Sequence, residues 1–313
     1  MKKVIAVGQT VLDILHMDGK PIASCTGGRI ANMAASLGRC GVKVEYVSEC
    51  ATDTVGDMVI KFLQDNNVGT ASIDRFTDGQ TQVSLIFRNS EGEESYSEYV
   101  NYPDSRFDVL WPRIEEGDIL VFGSYFAIDD APRRGLLELI NYAKERKAVI
   151  VYLPGFQPQL CSRITRVMPN ILENLELADV VIAREADMVK IFEKANPEIC
   201  YNDHIKFYAP NFIFTDGYNG VSIFSPSARE DAAMPPCEPQ DSLGKDASFV
   251  AGIVYGLLKQ DVRIETLYDR KPDGFNWHDA LSTAITFATD AINHHSNVIT
   301  TAYPTASPGG DVW

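Results

Sequence analysis

Residues 241–252 read Asp-Ser-Leu-Gly-Lys-Asp-Ala-Ser-Phe-Val-Ala-Gly, and the apolar run Ile-Val-Tyr-Gly-Leu-Leu follows at 253–258. The first half is polar and contains a glycine, whereas the second half is apolar with small residues that allow close helix packing. This pattern predicts a loop that leads into a buried helix. The free N–H groups of a first helical turn attract anions, and Gly244 would let an anion approach the backbone. An ordinary capped helix without a ligand is the alternative.

Two familiar phosphate-binding motifs do not occur in the sequence. A Walker loop that ends at Gly244-Lys245 would need glycine in place of Pro239 and serine or threonine in place of Asp246. The pattern Gly-x-Gly-x-x-Gly is absent from the whole chain. Support for a phosphate site must therefore come from the rest of the sequence.

Composition limits the classes of protein to which the chain can belong. With 313 residues, of which 45% are hydrophobic and 23% charged, the chain can bury a sizeable core in one large or two smaller domains. Its net charge of −15 argues against nucleic acid or an anionic membrane as a partner, because both require a basic face. A small anion would bind only where the protein is locally positive.

The cysteines and the N-terminus indicate the compartment. Six cysteines are scattered without a Cys-x-x-Cys pair, so the sequence indicates neither a zinc site nor a disulfide framework, and we expect reduced thiols. The first apolar run, Val4–Val7, ends at Gly8 and is too short for a signal peptide or a membrane span. We therefore expect a cytoplasmic protein.

Short apolar segments alternate with helix-like segments through much of the chain. A short, continuous apolar run is typical of a strand that is buried on both faces of a parallel sheet. Such runs occur at residues 4–7, 119–122, 148–152, 180–183 and 212–215, and helix-like segments occur at 134–145 and 164–175. The alternation predicts right-handed βαβ units, hence an α/β fold: a three-layer α/β/α sandwich with a mostly parallel central sheet. We expect a single domain over residues 1–313.

Two regions differ from this alternation. Residues 14–26, with Asp18-Gly19 as the turn, and residues 77–100, with the turn at 90–93, are typical of antiparallel hairpins. They would pair into a small β-sheet outside the main one. Ligand sites in open α/β sheets lie at the carboxyl ends of the strands and often need closing, so we predict a lid over an active site. Hairpins without a role at the site are the alternative.

Four motifs follow one another along the chain. They are the strand and glycine at residues 5–8 with Asp13, the sequence Gly27-Gly28-Arg-Ile-Ala-Asn32-Met-Ala, the turn Thr215-Asp-Gly217-Tyr-Asn-Gly220, and the helix start at 241–249. A Gly-Gly turn lets a sugar lie against the backbone at the start of a helix, and Asn32 and Asp13 can supply paired hydrogen bonds to hydroxyls. In order and spacing the motifs resemble those of the ribokinase-like (PfkB) family of sugar and nucleoside kinases, over nearly the whole chain.

The resemblance implies a role for these residues. The residues implied for binding the substrate are Asp13, Gly27, Gly28 and Asn32. Those implied for binding the nucleotide are Thr215, Gly217, Gly220, Asp241 and Arg184. The cofactors implied are ATP and Mg²⁺, and the small-molecule partner is a sugar or a nucleoside.

The helix start at 241–249 departs from the family pattern Asp-Thr-x-Gly-Ala-Gly-Asp-Ala-Phe. In the family, the last aspartate takes the proton of the attacking hydroxyl, and without a gap that position is Ala247. Asp246 lies one residue earlier, about 100° around a helix, and Lys245 replaces the alanine. We predict Asp246 as the catalytic base, with Gly244 and Lys245 as the phosphate site.

The metal-organising motif of the family, Asn-x-x-Glu, is also changed. It aligns with Arg184-Glu-Ala-Asp187, so we predict Asp187 as the metal ligand. Arg184 and Lys245 both bring a cation to the region where the family holds Mg²⁺ and triphosphate, and a fixed cation can replace part of a metal's charge. Solvated or salt-bridged side chains are the alternative. Val11 and the residues 153–155 differ from the family as well.

The leading prediction is a Mg²⁺-ATP-dependent kinase that phosphorylates a hydroxyl of a sugar or sugar-like molecule. One alternative is a protein with the kinase fold that binds a sugar or a nucleotide without turnover, because functional positions are altered. Another is a kinase for a nucleoside or a sugar acid. An exposed sheet edge invites pairing, so a homodimer through the lid is also expected.

Overall fold

The computed structural model describes residues 2–89, 94–217, 220–236, 244–271 and 274–300. Its strands form one sheet of nine and a separate sheet of four. The strands are β1 (Val4–Val7), β2 (Val11–Met17), β3 (Lys20–Gly27), β4 (Val44–Ala51), β5 (Val68–Phe76), β6 (Gln80–Arg88), β7 (Glu94–Asn101), β8 (Ile119–Gly123), β9 (Val149–Leu153), β10 (Val180–Arg184), β11 (Asn211–Asp216), β12 (Gly220–Phe224) and β13 (Arg229–Ala233).

The large sheet has the order β13-β12-β11-β10-β9-β8-β1-β4-β5. Its strands pair in parallel except for β12 and β13, which are antiparallel at one edge. Every residue of β1, β8 and β9 is buried, as continuous apolar runs require between two layers of helices. The predicted strands at 4–7, 119–122, 148–152, 180–183 and 212–215 correspond to β1 and β8–β11.

Helices cover both faces of the large sheet. They are α1 (Arg29–Arg39), α2 (Thr54–Asp65), α3 (Arg133–Glu145), α4 (Ile164–Leu177), α5 (Glu185–Phe192), α6 (Pro197–Cys200), α7 (Lys245–Lys259), α8 (Ile264–Tyr268) and α9 (Trp277–Asn293). Residues 4 and 6 of β1 pack into a core with α1, α7 and α9, and residues 5 and 7 pack into a second core with α3 and α4. The three-layer α/β/α fold is confirmed. Within the described ranges, no helix is long and apolar enough to cross a membrane.

The helix that follows the opening motif packs closely on α9. A Cβ atom at Gly252 would lie 2.4 Å from the Cα atom of Ala284, and one at Gly256 would lie 2.7 Å from the Cα atom of Ala280. Only glycine allows this separation, which is why small residues interrupt an otherwise bulky apolar run. The packing fixes the N-terminal end of α7, where the motif residues lie.

The small sheet has the order β3-β2-β6-β7 and contains both predicted hairpin regions. Asp18 and Gly19 both have positive φ, 47° and 77°, as a two-residue hairpin turn between twisted strands requires. A parallel pairing of β2 with β6 joins the two hairpins. The side chain of Asp53, at the start of α2, accepts hydrogen bonds from the backbone N–H of Gly56 and of Thr81, at 2.7 and 2.8 Å, and thereby ties β6 to the main body. The turn predicted at 90–93 lies outside the described residues.

Candidate active site

A cavity of about 630 Å³ opens at the carboxyl ends of the strands of the large sheet. The residues that follow β1, β8, β9 and β11 line it, where open α/β sheets place their ligands. These residues are Gln9, Ser124, Pro154 and Gly217. Two further groups of side chains complete the wall. We call them the lid group (Asp13, Gln82, Ser84 and Glu98, on the small sheet) and the helix group (Arg29, Arg184, Asp187 and Asp246, at the starts of α1, α5 and α7).

The lid group owes its arrangement to strand register. Asp13 of β2 is paired with Ser84 of β6, and Ser84 is paired with Glu98 of β7, so the three side chains stand side by side on one face of the sheet. The Nε2 atom of Gln82 donates to Glu98 at 2.8 Å, and the hydroxyl of Ser84 donates to the other carboxylate oxygen at 3.0 Å. The face therefore presents two carboxylates to the cavity.

The carboxyl group of Asp13 is packed against Gly27. A Cβ atom at position 27 would lie 1.9 Å from Oδ2 of Asp13, so only glycine leaves room for the carboxylate. Burial and, to a smaller extent, the nearby charge of Glu98 together raise the pKa of Asp13 to about 7. Asp13 thus titrates near neutral pH.

The Gly-Gly-x-x-x-Asn motif forms the start of α1. Gly28 has φ of 96°, a conformation that favours glycine, and it lies directly before the first helical residue, Arg29. Asn32 is 8% exposed, and its Oδ1 atom has no hydrogen-bond partner within the described ranges. A buried amide oxygen without a partner is costly, so it is suited to accept a hydrogen bond from a ligand. The structure therefore brings Asp13, Gly27, Gly28 and Asn32 together, as the motif predicted.

From Gly244 onward the opening motif forms the start of α7 as predicted, and its residues 241–243 lie outside the described residues. Gly244 has φ of 77°, and a Cβ atom there would lie 2.3 Å from the carbonyl oxygen of Ser296, so the position requires glycine. Asp246 is in the first helical turn, its side chain is 31% exposed, and it lines the cavity. Ala247, at the position where the family has its base, also lines the cavity.

Two arginines share one buried carboxylate in the helix group. Arg184 donates to both oxygens of Asp187, from Nε at 2.6 Å and from Nη2 at 3.0 Å, and from Nη1 to Asp246 at 3.4 Å. Arg29 approaches Asp187 from the other helix, with Nη1 3.9 Å from Oδ2. The charge of Asp187 raises the pKa of Arg184, whereas burial and the repulsion from Arg184 lower the pKa of Arg29 to about 10.

Lys245 lines the cavity and also contacts the turn after β11. The residue is 3% exposed, and its ammonium group donates to the carbonyl oxygen of Gly217, in the turn after β11. One of its contacts therefore closes the cavity wall between α7 and that turn. Its role as a phosphate ligand stays a prediction.

The structure places the residues predicted to bind the nucleotide in different surroundings. Gly217 lines the cavity, and Thr215 is buried at the end of β11, with its hydroxyl 3.5 Å from the carbonyl oxygen of Ala183. Gly220 lines a separate surface pocket with Pro197. Asp241 lies outside the described residues.

The surroundings of Asp187, the residue predicted to bind Mg²⁺, do not fit a metal held by the protein. Mg²⁺ takes about six oxygen ligands at about 2.0–2.1 Å, and a guanidinium bonded to both oxygens of Asp187 would repel a cation there. In the described part of the chain, no group of three or more His, Cys, Asp or Glu residues is arranged to hold a metal ion. We therefore assign no step to a metal bound by Asp187.

Arg29, Gln82, Ser84 and Glu98 were missed by the sequence analysis. Arg29 occupies an unspecified position of the Gly-Gly-x-x-x-Asn motif, which carries no expectation about charge. Gln82 and Ser84 lie two apart on β6, and Glu98 lies opposite Ser84 on β7. Alternation along the predicted hairpins was the signal that could have placed them on one face.

Residues 1–297 match the model of the pfkB family carbohydrate kinases. A fructokinase from Vibrio cholerae O395, solved with fructose, ADP and calcium ion, has a TM-score of 0.77 and 19% identity over 95% of this chain and 93% of its own. Aminoimidazole riboside kinase from Salmonella enterica, solved with aminoimidazole riboside and an ATP analog, has a TM-score of 0.75 and 17% identity over 93% and 92%. A 2-dehydro-3-deoxygluconokinase from Haemophilus influenzae is 22% identical over 279 residues, 83% of this chain and 88% of that protein.

The fold, with a cavity at the strand ends and a small sheet beside it, is that of the ribokinase-like sugar kinases. The match over residues 1–297 shows that the chain belongs to the pfkB family of carbohydrate kinases. It is therefore a sugar phosphotransferase, and the predicted family and enzyme class are confirmed.

Proposed function

We propose that the protein transfers the γ-phosphoryl group of ATP to a hydroxyl of a sugar or sugar-like molecule. The observation that carries this proposal is that one cavity is lined both by carboxylate and amide oxygens on the lid side and by helix starts with arginines on the other. Carboxylate and amide oxygens accept hydrogen bonds from hydroxyls, and helix starts with arginines bind phosphate. A volume of about 630 Å³ suits small ligands.

On the lid side, Asp13 and Asn32 orient the acceptor. Asp13 accepts hydrogen bonds from hydroxyls of the sugar, and the free Oδ1 of Asn32 accepts another. Gly27 and Gly28 leave space for the ring against the backbone. Glu98 fixes the position of this face through its bonds to β6. The attacking hydroxyl is thereby held in one orientation, which is a major part of phosphoryl-transfer catalysis.

At the start of α7, Asp246 acts as the general base. Its carboxylate accepts the proton of the attacking hydroxyl as that oxygen forms its bond to phosphorus. The N–H groups of the first turn, with Gly244 at its start and Lys245 beside it, stabilise the charge on the transferred group. When bound, ATP supplies the phosphoryl group. Mg²⁺ belongs to the proposal as an ion that arrives with ATP.

The nucleotide would lie along the turn after β11. The residues proposed to bind it are Thr215, Gly217, Gly220 and Asp241. Arg184, which lines the cavity, would contact the phosphates. Because the proposed reaction needs ATP, we propose that the protein acts in the cytoplasm.

The acceptor is a neutral sugar, a nucleoside or a sugar acid. The similar proteins include kinases named for fructose, for aminoimidazole riboside and for 2-dehydro-3-deoxygluconate. A thermal-shift panel of sugars, nucleosides and sugar acids, with ADP as a second ligand, identifies which of them the native state binds. An ATP-consumption assay with the best acceptors then measures turnover. Phosphorylated product is the expected result, and its absence with every acceptor tried contradicts the proposal.

A second function is favoured by one observation. Ala247 stands where the family has its base, and Asp246 is bonded to Arg184. A protein that binds a sugar or a nucleotide without turnover is consistent with this arrangement. Ligand-induced stabilisation without any ATP consumption would support it, and phosphorylated product would exclude it.

A further inference from the structure

The pair of oxygens that would have to ligate a metal is already taken by a guanidinium. Asp187 is 1% exposed, and Arg184 bonds both of its carboxylate oxygens, at 2.6 and 3.0 Å. This planar two-point contact is the geometry in which arginine binds carboxylates most strongly. A metal ion at Asp187 would have to displace Arg184 or lie next to its positive charge.

The helix group has two arginines and two aspartates, but only Asp187 is approached by both arginines. Arg29 and Arg184 both point to this one carboxylate, so one charge of the pair is left over. Asp246 offsets it only in part, because its contact with Arg184 is long at 3.4 Å and its side chain is 31% exposed. Two guanidinium groups that point to the same carboxylate repel each other, and a second anion in the cavity would reduce that repulsion.

Arg29 also has hydrogen-bonding capacity to spare. Its side chain is 11% exposed, and its Nε atom is buried without a partner in the described part of the chain. Both arginines line the same cavity as Gly217 and Gly244. A buried N–H without an acceptor costs free energy, and an anion in the cavity would supply the acceptor.

The backbone adds to this positive potential. Helices α1 and α5 begin at Arg29 and directly after Arg184, and in the described residues neither start has a side-chain cap. The start of α7 lines the same cavity. The dipoles of these helices therefore have their positive ends at the place where the two arginines meet.

We infer that Arg29 and Arg184, fixed by Asp187, form a phosphate-binding site for the di- or triphosphate of a nucleotide, and that they take over the charge compensation that a protein-held Mg²⁺ would provide. The inference rests on the proposed function for the identity of the ligand as a nucleotide. Its consequence is that the protein binds a nucleotide with little dependence on metal. Asp187 acts as a positioning residue for the arginines.

The direct test uses the unmodified protein. Binding of ADP and of inorganic tripolyphosphate is measured by calorimetry, once with EDTA and once with excess Mg²⁺. We expect the two dissociation constants for ADP to differ by less than about threefold, because the fixed guanidinium groups supply the charge in both cases. Tripolyphosphate should compete with ADP in EDTA, since the site recognises phosphate.

Variants of the two arginines test whether they are the cause of metal-free binding. The double variant Arg184→Asn with Asp187→Glu restores the Asn-x-x-Glu of the family, and Arg29→Met removes the second guanidinium. Both variants should weaken ADP binding in EDTA by at least about tenfold, and Mg²⁺ should restore binding in the double variant. The matched control is Arg134→Asn, an arginine on α3 with a side chain 92% exposed, and it should leave ADP binding unchanged. Circular dichroism and the thermal midpoint show whether each variant is folded.

The outcomes separate this inference from the proposed function. Binding of ADP to the unmodified protein only with Mg²⁺, together with turnover, overturns the inference and leaves the kinase function intact. If both variants still bind ADP in EDTA as the unmodified protein does, the inference is overturned as well. The measurement on the unmodified protein remains valid even where a variant does not fold. Absence of ADP binding under both conditions overturns both.

Discussion

The lid group and the helix group line one cavity but hold their carboxylates in different ways. Glu98 accepts hydrogen bonds from neutral donors, Gln82 and Ser84, and its charge raises the pKa of Asp13. Asp187, in contrast, is held by guanidinium groups, and its charge raises the pKa of Arg184. Carboxylates bound by neutral donors keep their negative potential, which suits hydroxyl donors. Carboxylates bound by an excess of cations leave a positive potential, which suits phosphate.

The largest effect on turnover is expected at Asp246, the more exposed of the two carboxylates in the helix group. If Asp246 is the base, Asp246→Asn lowers turnover by about two to four orders of magnitude, because the attacking hydroxyl loses its proton acceptor. Nucleotide affinity should stay near its starting value. Steady-state kinetics with the identified acceptor and ADP calorimetry measure the two effects.

The matched control for Asp246→Asn is Asp279→Asn. Asp279 also lies in the first turn of a helix, α9, but it is exposed. A first-turn carboxylate contributes only a few tenths of a kcal/mol to about 1 kcal/mol through the helix dipole, so the control should change stability slightly and turnover not at all. Equal turnover in Asp246→Asn and the parent would exclude Asp246 as the base and favour the protein that binds without turnover.

The acceptor site is tested by removing the two side chains proposed to bind hydroxyls, Asp13 of the lid group and Asn32 of α1. Asp13→Ala and Asn32→Ala should each weaken acceptor binding by about 1–3 kcal/mol, or roughly 5–150-fold, since the ligand loses a buried hydrogen-bond partner. ADP affinity should not change, because the nucleotide lies with the other group. Ser97→Ala is the control, since Ser97 points to the opposite face of β7 from Glu98. Unchanged affinity for the acceptor in both variants contradicts the assignment.

The pH dependence of the lid group follows from the pKa of Asp13. Its folded-state pKa of about 7 lies above the usual aspartate value of 3.8, so between these two pH values the native state holds a proton that the unfolded chain has released. The contribution of this group to stability is therefore present below about pH 4 and is lost as the pH rises through about 7. Acceptor binding should instead strengthen as the pH rises through 7, because the carboxylate is the better hydrogen-bond acceptor.

Glu98→Gln sharpens this prediction. Removing the charge of Glu98 removes the second cause of the shift, so the pKa of Asp13 should fall while burial still keeps it above its usual range. The midpoint of the pH profile of KM for the acceptor should therefore move to lower pH. Glu138→Gln, on the exposed face of α3, is the control and should leave the profile in place. A profile that is identical in Glu98→Gln and the parent argues against coupling of the two carboxylates.

Much of the fold was predictable because the composition of the central strands shows that they are buried. β1 and β8–β11 are continuous apolar runs, and burial on both faces by helices demands such runs. The edge strand β13, Arg-Glu-Asp-Ala-Ala, was not predicted, since its side chains alternate between exposed and half-buried and have little apolar content. Edge strands are defined by their neighbours rather than by their own sequence, which is why this one escaped detection.

The two groups of the site differ in how far the sequence predicted them. Asp13, Gly27 and Asn32 were identified because they match the motif of the family in register, and the structure brings them together. Arg29 was not, because its partners Arg184 and Asp187 lie more than a hundred residues away, and pairing across such a distance cannot be read from local sequence. The contact of Lys245 with the carbonyl group of Gly217 could not be read from local sequence either, since that group belongs to the turn after β11.

The smallest expected effect on turnover concerns the outer side of the small sheet. Strands β3 and β7 form its two edges, and Ile22 and Tyr99 on these strands are 59% and 60% exposed. Because exposed edges and apolar side chains favour pairing, we predict a homodimer through the lid. Light scattering over a range of concentrations should show a dimer for the parent and a monomer for Tyr99→Lys with Ile22→Lys. Turnover should change by less than about threefold, since Tyr99 points away from the face that carries Glu98. A parent that is monomeric at every concentration, or a dimer that survives both substitutions, contradicts this prediction and leaves the chemistry of the cavity untouched.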